Sequence, residues 1–176
     1  MGYYEQEVEL AKRQKVERIG GAIVRKWKNI NFRQNTRGAR SAFLIDTEVG
    51  HRTGGMTAAV NKIAPGSHLA SHRHGGEAII FIAEGRGYSL LDGEKLPWEK
   101  GDMFLVGKWL WHQHFNDDPN KTAIYVRVHA GDSIGNTMRI VLDPLELTEH
   151  KGEPGHYEDA PDMSALDWAD DDEHHI

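Results

Sequence analysis

The chain has 176 residues, 39% of them hydrophobic and 27% charged, with a formal net charge of −6 and no cysteine. That is enough chain for one domain with a real core, in the composition range of ordinary globular proteins. It excludes disulfides, thiolate ligands and cysteine nucleophiles, argues against a phosphate-tracking nucleic-acid surface, and holds no apolar run near the roughly 20 residues of a membrane span.

The N-terminus, from Met1 to Glu5, lacks the basic segment and apolar core of a secretory signal, so the expected setting is cytoplasmic. Glu5 to Ile19 reads as a helix with a weak stripe of Val8, Ala11 and Ile19, stopped by Gly20-Gly21. Ala22 to Trp27 and Ala42 to Ile45 read as short strands. Between them, Asn29 to Arg40 is a polar loop carrying Arg33, Arg37 and Arg40, solvated or capping a binding site for an anion. Met56 to Ile63 is a clearer strand, and Pro65-Gly66 turns the chain after it. Ala78 to Ala83 is apolar on both faces, which predicts burial on both sides and hence a covering sheet, helix or second copy of the chain, a homodimer. Gly87 to Leu96 reads as a hairpin, with Asp92-Gly93 supplying the positive φ of its turn. Met103 to Val106, Leu110 to Phe115, Ala123 to Ala130 and Met138 to Leu142 complete the strands. Many short strands with Gly and Pro punctuation predict an all-β sandwich or barrel.

From Glu149 onward Pro, Gly and Asp dominate, and Met163, Leu166 and Trp168 are the large apolar residues available to anchor a returning segment. Eight of the acids lie between Glu158 and Glu173; without them 19 acids face 21 bases, so the acidity belongs to the tail. The expected organisation is a helix and linker over 1–21, a barrel over 22–147 and an acidic extension over 148–176.

The histidines carry the chemistry. His72 and His74 lie one residue apart, which on an extended chain puts both on one face. His112, on a second apolar strand, can supply a third nitrogen from a facing wall. Imidazoles suit Zn, Cu, Fe or Ni, and three of them leave positions open for substrate. His114 shares the parity of His112 and can serve as a fourth ligand, a hydrogen-bonding neighbour of the metal or an acid/base. His68 has the parity of His72 and belongs at the mouth or on the surface. Tyr125, Arg127 and His129 share one face of a strand whose other face is Ile124, Val126 and Val128. If the polar face lines the pocket, Arg127 can clamp a carboxylate bidentately; otherwise it is on the surface. Phe104, Trp109, Trp111 and Phe115 are candidates for an aromatic pocket or for core.

The pattern resembles the cupins, small antiparallel barrels with two signature segments. Gly66, His72, His74 and Gly85 fall on the first, and Gly101, His112 and Asn116 on the second, with Gly107 and Trp109 where the family has Pro and Gly. The resemblance implies a double-stranded β-helix (jelly-roll) barrel with metal ligands His72, His74 and His112. The family's ligand Glu falls at Ala78, and Glu77, one residue early, would face away from a metal unless a bulge at Gly75-Gly76 turned it inward. Over about fifty residues the wording is most similar to the gentisate and salicylate type of ring-cleaving dioxygenases, which are usually longer and carry two such domains. That implies Fe(II) on three histidines with no carboxylate, His114 beside the metal without ligating it, and a small hydroxylated aromatic acid as substrate, with Tyr125, Arg127 and Trp109 as its contacts. Two rival readings use the same residues. One is an O2-independent lyase, isomerase or decarboxylase with Mn, Ni or Zn as Lewis acid and His114 or Glu77 moving the proton. The other is a non-catalytic binder of a small organic acid.

Overall fold

A computed structural model describes residues 4–6, 8–9, 12, 21–35, 37–53, 55–130 and 160–168. The alternating segments of the sequence form two antiparallel sheets. One has the order β1-β2-β3-β9-β4-β7, the other β6-β5-β8. In chain order the strands are β1 (Arg33–Gln34), β2 (Arg40–Ile45), β3 (Met56–Ile63), β4 (Glu77–Glu84), β5 (Arg86–Leu91), β6 (Glu94–Glu99), β7 (Met103–Val106), β8 (His112–Asn116) and β9 (Ala123–Ala130). The predicted all-β barrel is therefore present, and its inner faces enclose Ile63, Leu69, Ile80, Ile82, Trp98, Val106 and Tyr125 as the main core.

The hairpin forms as its turn chemistry requires, with Asp92 at φ 45° and Gly93 at φ 84°. Its second strand runs on through Pro97 to Glu99, which is tolerated because β6 is an edge and Pro97 has no N–H to spend on a further neighbour. Gly87 is needed for a different reason. A Cβ there would lie 2.7 Å from the Trp98 ring and collide with the Phe115 carbonyl, so only glycine lets the indole cross the strand.

Several expectations change. Ala22 to Trp27 is not a strand: Ala22 makes one bridge to His51, Ile23 and Val24 are exposed, and Trp27–Asn29 is a single 3-10 turn. Among the described residues no neighbouring strand offers that segment a ladder. Instead Trp27, Ile30 and Phe32 pack on Val60, Ala42 and Ile124, covering one outer patch of the larger sheet. The polar loop contains the short strand β1. β4 is buried on one face only. Ala78, Ile80 and Ile82 point inward, while Ile79 and Phe81 are 45% and 39% exposed. Beside them Met103 and Leu105 of β7 are exposed too.

Of the helix predicted over Glu5 to Ile19, Glu5, Gln6, Val8, Glu9 and Lys12 are helical, as is Tyr4 before it, and the rest lies outside the described residues. So do Met138 to Leu142 and His174-His175. In the returning segment Trp168 lies against the Arg40 guanidinium, 4.5 Å from its ring centroid, and Pro161 sits against Gly38. Among the described residues no helix is long and apolar enough to cross a membrane.

Candidate metal centre

The segment Gly66 to His74 runs antiparallel to β8 as a sparse ladder. The amides of Leu69 and His72 donate to the carbonyls of His114 and His112, and the amides of His112 and Asn116 return bonds to His72 and Ser67. His72 and His112 form a reciprocal pair (3.0 and 2.9 Å), with ring centroids 4.1 Å apart. His112 is therefore a lateral neighbour of His72, not a residue of the facing wall as the sequence led us to expect. His74 follows on the same face, its carbonyl accepting from the Trp109 amide at 2.8 Å. One side-chain nitrogen from each of His72, His74 and His112 lies within 4.8 Å of the others.

The hydrogen bonds of these rings decide what they offer. Nδ1 of His72, His74 and His112 lies 3.2, 2.7 and 2.8 Å from the carbonyls of Ala70, Gly76 and Leu110. A carbonyl only accepts, so each Nδ1 carries the proton and each Nε2 keeps its lone pair. This is the arrangement in which a histidine binds a metal through Nε2 while the other nitrogen is held from behind.

The same rings are held neutral. Burial, with the neighbouring His112 and the Arg37 charge, keeps His72 well below the ordinary 6.5. Burial and His129 push His74 down to about 4, against the Gly76 carbonyl, which works the other way. Burial, then His74 and His114, lowers His112 well below 6.5. His114 is lowered to about 4 by burial, His74 and Arg127. Neutral imidazole is the metal-binding form. Among the described residues no carboxylate joins the set. Glu77 is exposed, and Ala78, buried, stands on the cavity wall where an acid would be.

The three rings border a cavity of about 680 Å³. Leu69, Ile80 and Val106 give it an apolar side, and Asn35, Ser41 and Asn61 a polar one. Arg25, Arg33, Arg37 and Arg127 line it against one acid, Glu48. Arg127 and Tyr125 do lie on the cavity face of β9, because the alternate residues Ile124 and Val126 are taken up by the outer patch under Trp27 and Phe32. Burial raises the Tyr125 hydroxyl to about 12, so it is neutral.

Arg37 is a functional candidate that sequence reasoning left in a polar loop. Asn35 places it: its Oδ1 accepts from the amides of Arg37 (2.9 Å) and Ala39 (3.1 Å), while its Nδ2 donates to Ser41, which donates on to Asn61. Burial, and then Arg127's charge, depress the Arg37 pKa, though a guanidinium stays charged. Among the described residues no carboxylate pairs with either Arg37 or Arg127.

His129 also lines the cavity, 4.8 Å from the His74 ring centroid to centroid. Its Nε2 lies 3.2 Å from Arg127 Nη1, a pure donor, so that lone pair is engaged. His68 is outside the cavity lining, its ring tilted against Phe115 and its Nδ1 3.3 Å from Gln113 Nε2. Trp109 is not brought to the cavity. At φ 58° in the turn before β8 it faces outward and is 43% exposed. Trp111 and Phe115 are buried outside the lining, and Phe104 packs on the core.

Comparison with known proteins agrees with this geometry. Residues 59–129 match the family model described as a cupin domain, and the barrel that contains them has the cupin fold. Its sequence is similar to ring-cleaving dioxygenases. A gentisate 1,2-dioxygenase of a Ralstonia species is 40% identical over 67 residues, which is 38% of this chain and 19% of that one. A 5-nitrosalicylic acid 1,2-dioxygenase of a Bradyrhizobium species is 31% identical over 74 residues, 42% of this chain and 36% of that one. The similarity thus spans about a fifth to a third of these relatives. An RmlC-like cupin from Shewanella frigidimarina superposes with a TM-score of 0.53 at 16% identity, covering 64% of this chain and 95% of that one. At that identity it speaks for the fold alone.

Proposed function

We propose that this chain is a metal-dependent dioxygenase that opens the ring of a small hydroxylated aromatic acid, with Fe(II) as the ion and His72, His74 and His112 as its ligands. One observation carries the reading: three neutral imidazoles, each backed at Nδ1 by a carbonyl, bring one ring nitrogen apiece within 4.8 Å of one another, on the wall of a cavity that also holds Arg37 and Arg127, which among the described residues pair with no carboxylate. Three neutral ligands leave a divalent ion its full charge, where a carboxylate ligand would remove one unit. With Arg37 and Arg127 alongside, the site favours an anionic chelator by several kcal/mol over a neutral one, on the order expected at low effective dielectric. Arg127 and Arg37 bind the substrate carboxylate. Leu69, Ile80 and Val106 pack on the ring and keep water from it. Tyr125 offers a neutral hydroxyl, and His114 exchanges a hydrogen bond with the bound substrate. Iron bound here supplies the one-electron chemistry that lets O2 react with an electron-rich ring. The similarity to the gentisate and 5-nitrosalicylate enzymes supports the substrate class.

The test is anaerobic purification, elemental analysis and an O2 electrode with salicylate and gentisate. Stoichiometric iron with O2 uptake is expected, and His72→Ala should abolish metal retention. Tight Zn, Ni or Mn without O2 uptake would make the protein an O2-independent Lewis-acid enzyme. Metal-free protein stabilised by an organic acid would make it a binding protein. We further propose a homodimer, formed over the exposed apolar face of β4 and β7.

A further inference from the structure

Ser89 is fully buried on β5, behind His114. Its Oγ receives a hydrogen bond from the Trp98 indole Nε1 at 3.0 Å and lies 2.7 Å from His114 Nδ1. An indole N–H only donates, so it takes up a lone pair of Oγ and leaves the hydroxyl hydrogen to be placed. Among the described residues that hydrogen has one acceptor within reach, His114 Nδ1. Were Nδ1 protonated, two N–H groups would face one oxygen, and a buried hydroxyl hydrogen would have nowhere to go, which is costly. Nδ1 therefore accepts, and the single ring proton sits on Nε2.

We infer that Trp98 and Ser89 are positioning residues that fix His114 as an Nε2–H donor toward the cavity, the opposite tautomer from His72, His74 and His112. The four rings look alike in sequence, yet their partners sort them. Three are backed by carbonyls and present lone pairs; the fourth is backed by a hydroxyl already loaded by an indole and presents a hydrogen. A neutral ring with its proton on Nε2 has no lone pair there for a metal. It donates instead to an oxygen of whatever anion occupies the cavity. Gly87 belongs to the same device, since only glycine admits the Trp98 ring to its place over β5. The tautomer stands on the hydrogen bonds alone. The donation to substrate rests on the function proposed above.

Long-range 1H–15N spectra of histidine-labelled protein, metal-free and zinc-loaded, read the tautomer, with the His114 signals assigned by their loss in His114→Gln. The expected pattern is a protonated Nε2 and a bare Nδ1. In Ser89→Ala it should convert to a mixture or to the Nδ1–H form; Trp98→Phe serves as the second variant should Ser89→Ala fold poorly. Zinc per chain should be unchanged in His114→Gln and Ser89→Ala. Salicylate binding to the zinc-loaded protein, by calorimetry, should weaken roughly tenfold in Ser89→Ala, about the worth of one hydrogen bond to a charged group, and recover in part in His114→Gln relative to His114→Phe. A protonated Nδ1 in the native protein, or loss of zinc in His114→Gln, would overturn the inference. If native protein shows the expected tautomer but binds no salicylate, the proposed substrate class fails and the tautomer stands.

Discussion

A histidine buried without a carboxylate partner is held neutral, and several such rings in one cavity reinforce one another. His74 and His114, both near 4 in the folded chain against an ordinary 6.5, make the consequence measurable. Between those values the unfolded chain binds more protons than the folded one. Stability is therefore fully present above about 6.5, falls as the pH drops, and stops falling below about 4. Metal-free protein should lose on the order of 1 kcal/mol per pH unit per buried imidazole across that window, read by urea unfolding at a series of pH values. His74→Asn should flatten the slope, and a native protein equally stable at the two ends would contradict the burial argument. At this scale the sequence was informative where spacing alone suffices: His72 and His74 share a face because alternate residues do, whereas His112 joins them by pairing laterally with His72, which spacing does not reveal. For Arg37 it left a solvated loop and an anion-binding cap both open, because the loop has no period and Arg37 is placed by one Asn35 side chain. For Arg127 it left two faces open, because the choice depends on what covers the other face of β9, and Trp27 and Phe32 come from a segment read as a strand and a loop.

β8 is buried on both faces, so its position relative to β3 has to be fixed by something other than a hydrophobic stripe. Asn116, at its end, supplies this. Its Nδ2 lies 3.1, 3.0 and 2.7 Å from the carbonyls of Ile63, Ala64 and Lys121, and its Oδ1 accepts from the Asp118 amide. One side chain thus joins the end of β3, the end of β8 and the connection to β9. Asn116→Ala should cost about 2–4 kcal/mol, the usual range for breaking a buried network, while metal per chain at saturating ion stays at the native value. Chemical denaturation and elemental analysis separate the two effects, and metal loss with unchanged stability would show that Asn116 acts on the centre instead. The strands themselves were largely visible in the sequence, β3 and the hairpin turn most clearly, because alternation and Asp-Gly are local signals. Ala22 to Trp27 was misread because strand formation needs a partner, and a run of apolar residues does not reveal whether one exists.

The molecule as a whole leaves an apolar surface where the sequence predicted burial on both sides. Ile79 pairs with Leu105 and Phe81 with Met103, so the four side chains form one patch across β4 and β7. They are 45%, 57%, 39% and 65% exposed respectively. β7 ends its sheet, and among the described residues its outer backbone edge is unpaired. A contiguous apolar patch beside an open edge is a site for association. A second copy is the simplest occupant, since a two-fold axis matches such a patch to itself and closes the assembly. In light scattering at micromolar concentration the native chain should have twice the monomer mass, and Leu105→Glu or Phe81→Glu should halve it. Both side chains face solvent in the single chain, so the isolated fold should change by no more than about 0.5 kcal/mol, and the metal content should not change. The single-chain stability and metal content distinguish loss of the interface from damage to the barrel. A native chain of monomer mass would leave this face needing another partner and would refute the dimer.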